Sequence, residues 1–324
     1  MQERILTMKL NRNMMEMALD PDIAKVLQMI SDLRVPNLRD LEVKDIRNLV
    51  DNNMLMKENI EIGRVVDVSL GDENIQARLY EPKDATKSLI LYFHGGGFVF
   101  GSIESYDSVC RRAAMESRSK VLSVAYRLAP EHKFPTAVED AFTSYVWARE
   151  NAMDLDIDPS RIALAGDSAG GNISAVVSLM VKDRGLEKPR LQVLFYPSLG
   201  ADFFSKSIRE FSDVFFLTTR DMLGWFGEMY LRDLTDILNP YFSPIVNPDL
   251  SGLPEAIIIT AENDSLRDQG EAYIEKLRSA GTPVTGIRAM GMVHSFLKFT
   301  PIVPAAADIT NMIWSLVGKK LGSS

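Results

Sequence analysis

The sequence contains very little cysteine and histidine: Cys110 is the only cysteine, and there are three histidines among 324 residues. One cysteine excludes an internal disulfide framework and is typical of a protein from a reducing compartment. Three scattered histidines and one cysteine do not have the spacing of a familiar zinc site, so we predict neither a metal nor a cofactor. If the protein uses a catalytic histidine, that residue is one of these three.

The sequence also lacks long apolar runs and an excess of positive charge. No stretch reaches the roughly 18 apolar residues of a membrane-spanning helix, and the first residues contain no apolar segment typical of a secretion signal. The formal net charge of −8 disfavours nucleic acid as a partner. We therefore expect a cytoplasmic protein with no membrane span and no nucleic-acid partner.

From about residue 62 onward, the apolar pattern is that of alternating strands and helices. Several of the predicted strands are nearly continuous apolar runs, as in the central strands of parallel sheets. The alternation predicts an α/β fold, a mostly parallel central sheet flanked by helices, with functional loops at the carboxyl ends of the strands. Strands are predicted at 62–70, 74–80, 88–93, 120–125, 161–165, 191–196, 256–261 and 283–289, and the clearest helices at 137–149 and 266–280.

Two segments do not follow this alternation. Residues 1–56 have the periodicity of amphipathic helices and hold eight of the 16 methionines, whose flexible side chains adapt to ligands of varied shape. Residues 200–239 are helical in pattern and rich in aromatic residues. We predict N-terminal cap helices at 1–58 and an α/β core at 59–324 that includes a cap insertion at about 200–239. A simpler alternative is that the N-terminal helices only pack on the core. The two interpretations agree if helices that pack on the core also cover the site.

The sequence GDSAGG at residues 166–171 lies between a predicted strand and a helical stretch at 172–181. A Gly-x-Ser-x-Gly pattern between a strand and a helix indicates a nucleophile elbow. Small residues on both sides of the serine let the strand and the helix approach closely, so that the turn projects the side chain outward. We therefore expect Ser168 to be a catalytic nucleophile.

A serine hydroxyl is a poor nucleophile at neutral pH and needs an adjacent base. His294 is the only histidine after Ser168 in the chain, and it lies in a glycine-containing loop after the last predicted strand. That order, with the base late in the chain, is expected of a nucleophile elbow. His132 lies in a loop before a helix and is more simply explained as a surface or loop-packing residue.

An acid is needed to orient the base, and three carboxylates follow the predicted strand at 256–261. Glu262 is close to the strand end, and Asp268 lies inside the following helix, where Arg267 can pair with it. Asp264 lies in the loop between them, where its other role would be to cap the helix N-terminus. The residues alone favour Asp264 and leave Glu262 and Asp268 as alternatives.

Acyl transfer also needs donors for the oxyanion of its tetrahedral intermediate. Gly95, Gly96 and Gly97 follow the predicted strand at 88–93 and leave their backbone N–H groups unobstructed by side chains. Such a loop, completed by the N–H of Ala169 after the nucleophile, is the oxyanion loop of lipases and esterases. A phosphate-binding loop would need a Lys–Ser/Thr pair or a GxGxxG spacing, and the sequence has neither.

Five motifs follow one another along the chain: HGGGF at 94–98, YRLAPE at 126–131, GDSAGGN at 166–172, DSLRD at 264–268 and GMVH at 291–294. The combination is specific, although each motif alone would be a modest signal. In this order, between about residues 60 and 300, they resemble the motif set of the hormone-sensitive lipase family of esterases.

The resemblance implies an α/β-hydrolase fold, a small-molecule ester as substrate and the chemistry of a serine carboxylesterase acting on short to medium acyl chains. It implies a cap built from the N-terminal helices and an insertion after the sixth strand, and dimers through the last strand, near residues 283–290. One departure is Ser265, where the family has proline, and we expect it to affect only the rigidity of the loop. The implied site residues are a triad of Ser168, Asp264 and His294, oxyanion donors at Gly96, Gly97 and Ala169, and His94 as the residue that holds the shape of the loop.

Other functions use the same fold. An amidase, an arylformamidase or a deacetylase would use the same triad on a different carbonyl. A ligand-binding receptor on an inactive hydrolase fold is also conceivable, but such proteins typically lose the base. His294 in its complete GMVH context argues against a receptor.

Overall fold

The computed structural model describes residues 18–32, 38–52, 57–212 and 218–322. The helix prediction for residues 1–17 and the surroundings of Val35 and Pro36, most of the N-terminal methionines, and Phe215 and Phe216 lie outside these ranges. The strands are β1 (Arg64–Leu70), β2 (Ile75–Glu81), β3 (Leu89–Phe93), β4 (Lys120–Val124), β5 (Ile162–Asp167), β6 (Leu191–Phe195), β7 (Glu255–Asn263) and β8 (Val284–Val293). The helices are α1 (Pro21–Asp32), α2 (Val43–Asp51), α3 (Asp107–Ser117), α4 (Thr136–Glu150), α5 (Ala169–Asp183), α6 (Lys206–Phe211), α7 (Arg220–Tyr230), α8 (Arg267–Ser279) and α9 (Pro304–Lys320).

The eight strands form one sheet in the order β1-β2-β4-β3-β5-β6-β7-β8. β2 pairs antiparallel with both β1 and β4, whereas every pair from β4 to β8 is parallel. The predicted α/β fold with a mostly parallel sheet is therefore confirmed. Because the parallel strands share one direction, their carboxyl ends meet at one edge of the sheet, and the loops that follow them lie side by side.

Helices cover both faces of the sheet, which explains why the central strands are apolar throughout. Along β3, Leu91 and Phe93 point into the core beneath α4 and α5, and Ile90 and Tyr92 point into the opposite core beneath α3 and α9. All five residues of β3 are buried, as are all five of β6. A strand that is buried on both faces has no polar alternation, which matches the continuous apolar runs in the sequence.

The last strand is longer than the sequence predicts. The expected end at residue 289 was wrong, because β8 continues through Gly291 to Val293, which pairs with Asn263 of β7 beyond an irregularity in the register. In the sequence, Gly291 is typical of a turn, and this is why the strand was expected to end before it. In the structure, Gly291 has φ +72° but the strand continues through it. His294 consequently follows the strand directly and does not lie in a separate glycine loop.

Two described parts of the N-terminal segment are attached to the core and to the 200–239 segment. Ile46 of α2 is buried in the core, and Arg47 donates to the carbonyls of Val99 at 2.9 Å and Ala129 at 2.8 Å. Just before α2, residues 38–40 contact α7 through Arg39, which pairs with two carboxylates of α7, Asp221 and Glu228. Residues 38–40 and α7 therefore meet, and both contribute to the wall of the cavity that contains Ser168. Within the described ranges, none of the helices is both long enough and apolar enough to cross a membrane.

Candidate active site

Ser168 occupies a sharp turn between β5 and α5. Its backbone has φ +54° and ψ −115°, a region that non-glycine residues avoid at a cost of about 1–3 kcal/mol. The turn is held by the Ser168 N–H, which donates to the carbonyl of Phe195 on β6 at 2.9 Å. The side chain is partly exposed and lines a cavity at the carboxyl ends of the strands. This is the geometry that the elbow motif predicts.

Glycine is required on both sides of that turn because backbone segments touch there. A Cβ on Gly170 would lie 1.8 Å from the carbonyl oxygen of Phe93, and one on Gly166 would lie 2.4 Å from the carbonyl oxygen of Gly170. Real Cβ atoms do not approach backbone atoms so closely. The start of α5 is therefore packed directly against β3 and β5, and the serine is held rigidly above the sheet.

Ser168, His294 and Asp264 are joined by hydrogen bonds. The hydroxyl oxygen of Ser168 is 3.0 Å from Nε2 of His294, and Nδ1 of His294 is 2.8 Å from Oδ2 of Asp264. His294 and Asp264 are both buried, at 3% and 1% exposure. With the proton of the neutral imidazole on Nδ1 and donated to the carboxylate, Nε2 can accept the proton of the serine.

The other oxygen of Asp264 accepts the N–H of Leu266 at 2.9 Å, just before α8 begins. Asp264 therefore orients the imidazole and also caps the following turn. The neighbouring carboxylates are engaged elsewhere: Glu262 accepts the N–H of Gly291 at 2.7 Å, and Asp268 accepts the N–H of Ser207 at 2.8 Å. The structure brings only Asp264 of the three candidate acids to His294.

Two further residues that the sequence analysis discussed, His132 and Ser265, lie outside the hydrogen-bonded chain of Ser168, His294 and Asp264. His132 is exposed in the loop after β4, away from the hydrogen-bonded chain of the site. Ser265, next to Asp264, donates its hydroxyl to the carbonyl of Thr218 at 2.9 Å. A proline could not make this bond, so Ser265 links the acid loop to the 200–239 segment, a contact that the sequence did not indicate.

The glycine loop after β3 has backbone conformations that suit only glycine. Gly96 and Gly97 have φ +118° and +61°. A Cβ on Gly96 would lie 2.1 Å from the carbonyl oxygen of Phe100, and one on Gly97 would lie 2.2 Å from the ring of Phe226. The loop is fixed by the N–H groups of Val99 and Phe100, which donate to the carbonyl of Gly96 at 3.0 and 3.1 Å.

Three backbone N–H groups near Ser168 are available to a ligand. The N–H groups of Gly96 and Gly97 donate to no acceptor among the residues that the structure describes. Ala169 is the first residue of α5, and the N–H groups of a first helical turn have no partner within the helix. All three residues line the same cavity as Ser168.

His94 supports this loop from behind. Its ring is stacked on Tyr126 with 4.4 Å between the centroids, and Nδ1 is 2.8 Å from the carbonyl oxygen of Gly95. Burial lowers the pKa of His94 to about 4, so the ring is neutral at pH 7. Nδ1 must carry the proton in order to donate to Gly95, and His94 is thereby fixed as a support of the loop and not as a base.

Asp167 is a site residue that the sequence analysis missed. It is fully buried, and its Oδ1 accepts the N–H of Gly95 at 3.0 Å and the hydroxyl of Tyr92 at 2.9 Å, while Oδ2 accepts the hydroxyl of Tyr106 at 2.9 Å. Burial raises the pKa of this carboxyl, and the two tyrosine hydrogen bonds oppose the rise. An acid at the end of an otherwise apolar strand was the available signal, because a buried carboxylate needs several donors.

A cavity of about 1390 Å³ opens above Ser168 and His294. Its walls are mainly apolar and come from the N-terminal segment, the glycine loop and the 200–239 segment. A concave, mostly apolar site with a few convergent polar groups is typical of a binding site for a small molecule. Among the apolar wall residues are Leu38, Leu41 and Leu49 on the N-terminal side, and Leu223, Phe226 and Leu234 on the other.

Among the residues that the structure describes, no three His, Cys, Asp or Glu side chains are grouped so that they could hold a metal ion. The polar groups that line the cavity include the hydroxyl of Ser168, the imidazole of His294 and backbone N–H groups. These groups can take up a proton and stabilise a negative oxygen, which is what nucleophilic attack on a carbonyl requires.

Comparison with known proteins gives a consistent result. A family model for the alpha/beta hydrolase fold matches residues 90–298. An arylesterase of Saccharolobus solfataricus is 40% identical over 285 residues, which are 87% of this chain and 93% of that protein. The carboxylesterase NlhH of Mycobacterium tuberculosis is 37% identical over 307 residues, 90% of this chain and 93% of the relative. A solved hyperthermophilic esterase from the archaeon Pyrobaculum calidifontis has a TM-score of 0.87 at 40% identity, covering 94% of this chain and 99% of its own.

Proposed function

Since the chain belongs to the hormone-sensitive lipase family of carboxylesterases within the α/β hydrolases, we propose that Ser168, His294 and Asp264 are its catalytic triad. The observation that carries the proposal is the continuous chain of hydrogen bonds from the serine hydroxyl through the imidazole to a buried carboxylate. This chain lies at the floor of an apolar cavity large enough for an ester.

Acylation begins when Ser168 attacks the ester carbonyl and His294 takes the hydroxyl proton on Nε2. Asp264 holds Nδ1–H of the imidazole, so that Nε2 is the acceptor, and then stabilises the imidazolium that forms. The tetrahedral intermediate collapses when the bond to the alkoxy group breaks. His294 returns the proton to the departing alcohol, which leaves an acyl-serine.

We assign the N–H groups of Gly96, Gly97 and Ala169 as donors to the oxyanion of the intermediate. Each is fixed before the reaction by the loop or by α5, so no reorganisation is needed when negative charge develops. Removing one such donor typically lowers kcat by about 10²- to 10³-fold. Deacylation repeats the sequence with water as the nucleophile, activated by His294, and releases the carboxylic acid.

The finer features of the function are also proposals. Residues 1–58 and the insertion at about 200–239 act as a cap that selects short to medium acyl chains, and their apolar contribution to the cavity wall supports this. A homodimer through β8 is supported by the position of β8 at the edge of the sheet, where backbone groups can pair with a second chain. A cytoplasmic location is supported by the single, buried Cys110.

A series of p-nitrophenyl esters from acetate to palmitate tests the substrate class. We expect kcat/KM to be highest for butyrate or hexanoate and to fall for laurate and palmitate, because the cavity is bounded by the cap segments. A fluorophosphonate probe should label Ser168, with the modified peptide identified by mass spectrometry. A maximum at laurate or longer, faster turnover of butyranilide than of the esters, or a label on another residue would each contradict the proposal.

The contacts of Asp167 predict that Asp167→Ala lowers kcat by about 10- to 100-fold while KM changes less. The substitution removes the acceptor of the Gly95 N–H, so the neighbouring oxyanion donors lose their fixed position, and a small misplacement is costly in the transition state. Asp167→Asn is the matched control, because its amide oxygen can still accept from Gly95, and it should retain most of the activity. Wild-type kcat in a folded Asp167→Ala variant would show that the loop does not depend on this carboxylate.

A further inference from the structure

Lys298 lies in the cavity, on the short 3₁₀ helix Phe296–Phe299 that follows His294. Its side chain is partly buried, and Nζ lies over the ring of Tyr106, 4.4 Å from the centroid. Tyr106 itself is held by its hydrogen bond to Asp167, next to Ser168. The ammonium therefore lies against a residue that is hydrogen-bonded to the neighbour of the nucleophile, and the proposed triad does not use it.

Within the described part of the chain, the ammonium head of Lys298 has no polar partner, because Nζ makes no hydrogen bond and no ion pair there. Burial lowers the pKa of Lys298 to about 8, so the group is still mostly protonated at pH 7. The nearby carboxylates are engaged elsewhere: Asp167 accepts from two tyrosines and a backbone N–H, and Asp51 accepts the hydroxyl of Ser102 at 2.5 Å.

The other lysine and arginine side chains of the cavity are different, because their heads are satisfied. Lys133 donates to the carbonyls of Glu228 at 3.0 Å and Leu231 at 2.7 Å, and Arg232 pairs with Asp236 at 2.5 Å. The acidic residues that line the cavity belong to α2 and the 200–239 segment and not to the helix that carries Lys298: Asp45, Asp202, Glu228 and Asp233. Of the described lysine and arginine residues in the cavity wall, Lys298, on the short helix that follows His294, is thus the one whose charged head has no hydrogen-bond or ion-pair partner.

We propose that Lys298 binds a carboxylate of the substrate, so that the preferred esters carry a free acid group in addition to the ester bond. This inference depends on the proposed function, because it concerns the same cavity and the same hydrolysis. The ester class is either a half-ester of a dicarboxylic acid or an ester whose alcohol part bears a carboxylate. In both cases hydrolysis is the ordinary reaction, and the second carboxylate takes no part in bond breaking.

An ammonium that is already partly removed from water is well suited to this task. Much of its desolvation is complete before substrate binds, and a hydrogen bond between ionised groups is about twice as strong as a neutral one. The face of Tyr106 attracts the cation and restricts its position. A bond of this type corresponds to a preference of about 10- to 100-fold over an ester that lacks the carboxylate.

Matched ester pairs test the inference. The p-nitrophenyl half-ester of glutarate is compared with p-nitrophenyl pentanoate for a carboxylate on the acyl part, and 4-acetoxybenzoate with phenyl acetate for one on the alcohol part. In at least one pair, the ratio of kcat/KM for the anionic ester to that for the neutral ester should fall about 10- to 100-fold in Lys298→Met. Lys298→Arg should restore most of the ratio. Lys57→Met, which removes a nearby exposed charge that does not line the cavity, is the control and should change the ratio by less than about twofold.

The outcomes separate the inference from the proposed function. If wild type hydrolyses neither member of either pair, the proposed function fails. If it hydrolyses the neutral esters and both ratios are unchanged in Lys298→Met, or both members of each pair are lost equally, Lys298 only balances the charge of Asp167 and Asp51 and the inference fails. Should Lys298→Met not fold, Lys298→Gln replaces it. A more than tenfold wild-type preference for the neutral ester in both pairs overturns the inference without any variant.

Discussion

Ser168→Ala is expected to lower kcat for p-nitrophenyl butyrate by about 10⁵- to 10⁶-fold. The substitution removes the atom that forms the acyl-enzyme, while His294, Asp264 and the oxyanion donors stay in place. The small remaining rate would come from binding and from the oxyanion donors alone. A progress curve at high enzyme concentration, with the same preparation titrated by a fluorophosphonate, measures the loss and excludes contaminating wild-type enzyme.

Two controls belong to this experiment. Ser168→Ala should unfold near the wild-type temperature, because the hydroxyl of Ser168 bonds to His294 alone among the described residues and the turn is held by backbone bonds. Ser178→Ala changes a serine on the same helix, α5, whose hydroxyl donates to the carbonyl of Ser174 at 2.9 Å, and its kcat should stay within about threefold of wild type. If a folded Ser168→Ala variant keeps more than about 1% of wild-type kcat, the nucleophile is another residue.

Asp264→Asn should cost about 10⁴-fold in kcat with little change in KM. The N–H of Leu266 needs an acceptor, so the amide oxygen of the asparagine stays with Leu266 and its NH₂ group faces His294. Donation from this NH₂ to Nδ1 places the imidazole proton on Nε2. In that tautomer Nε2 cannot accept the proton of Ser168, although every side chain keeps its position.

The two neighbouring carboxylates provide the matched controls for this variant. Glu262→Gln and Asp268→Asn change acids in the same loop region that bond to Gly291 and Ser207 and not to His294. Each should lower kcat by less than about tenfold. An equal loss in either control would mean that the loop conformation, and not the tautomer of His294, decides the activity.

The sheet was predictable from the sequence because the central strands are buried on both faces. Runs such as Leu89–Phe93 contain no charged residue, are only about five residues long and are followed by glycines, which is typical of a buried strand of a parallel sheet. The end of β8 was not predictable, because Gly291 has the pattern of a turn. Its place in the strand depends on pairing with β7, a contact between residues far apart in the chain.

Some residues of the candidate site could be identified from the sequence, and others could not. The serine and the glycines are recognised by local motifs, since the elbow and the loop need those residue types at a fixed spacing. The residues alone favoured Asp264 and left Glu262 and Asp268 as alternatives, because the three acids lie within seven positions of one another and their distances to His294 depend on the fold. Asp167 was missed because its partners, Gly95, Tyr92 and Tyr106, lie more than 60 positions earlier in the chain.

The contacts of Asp167 also bear on how sequences of this type can change during evolution. One side chain, adjacent to the nucleophile, holds both the oxyanion loop and two buried phenols. A chain that loses this acid must lose the hydroxyls of Tyr92 and Tyr106 too, or leave them buried without acceptors. Positions 92, 106 and 167 should therefore vary together among relatives, and a single replacement among them should be rarer than a joint one.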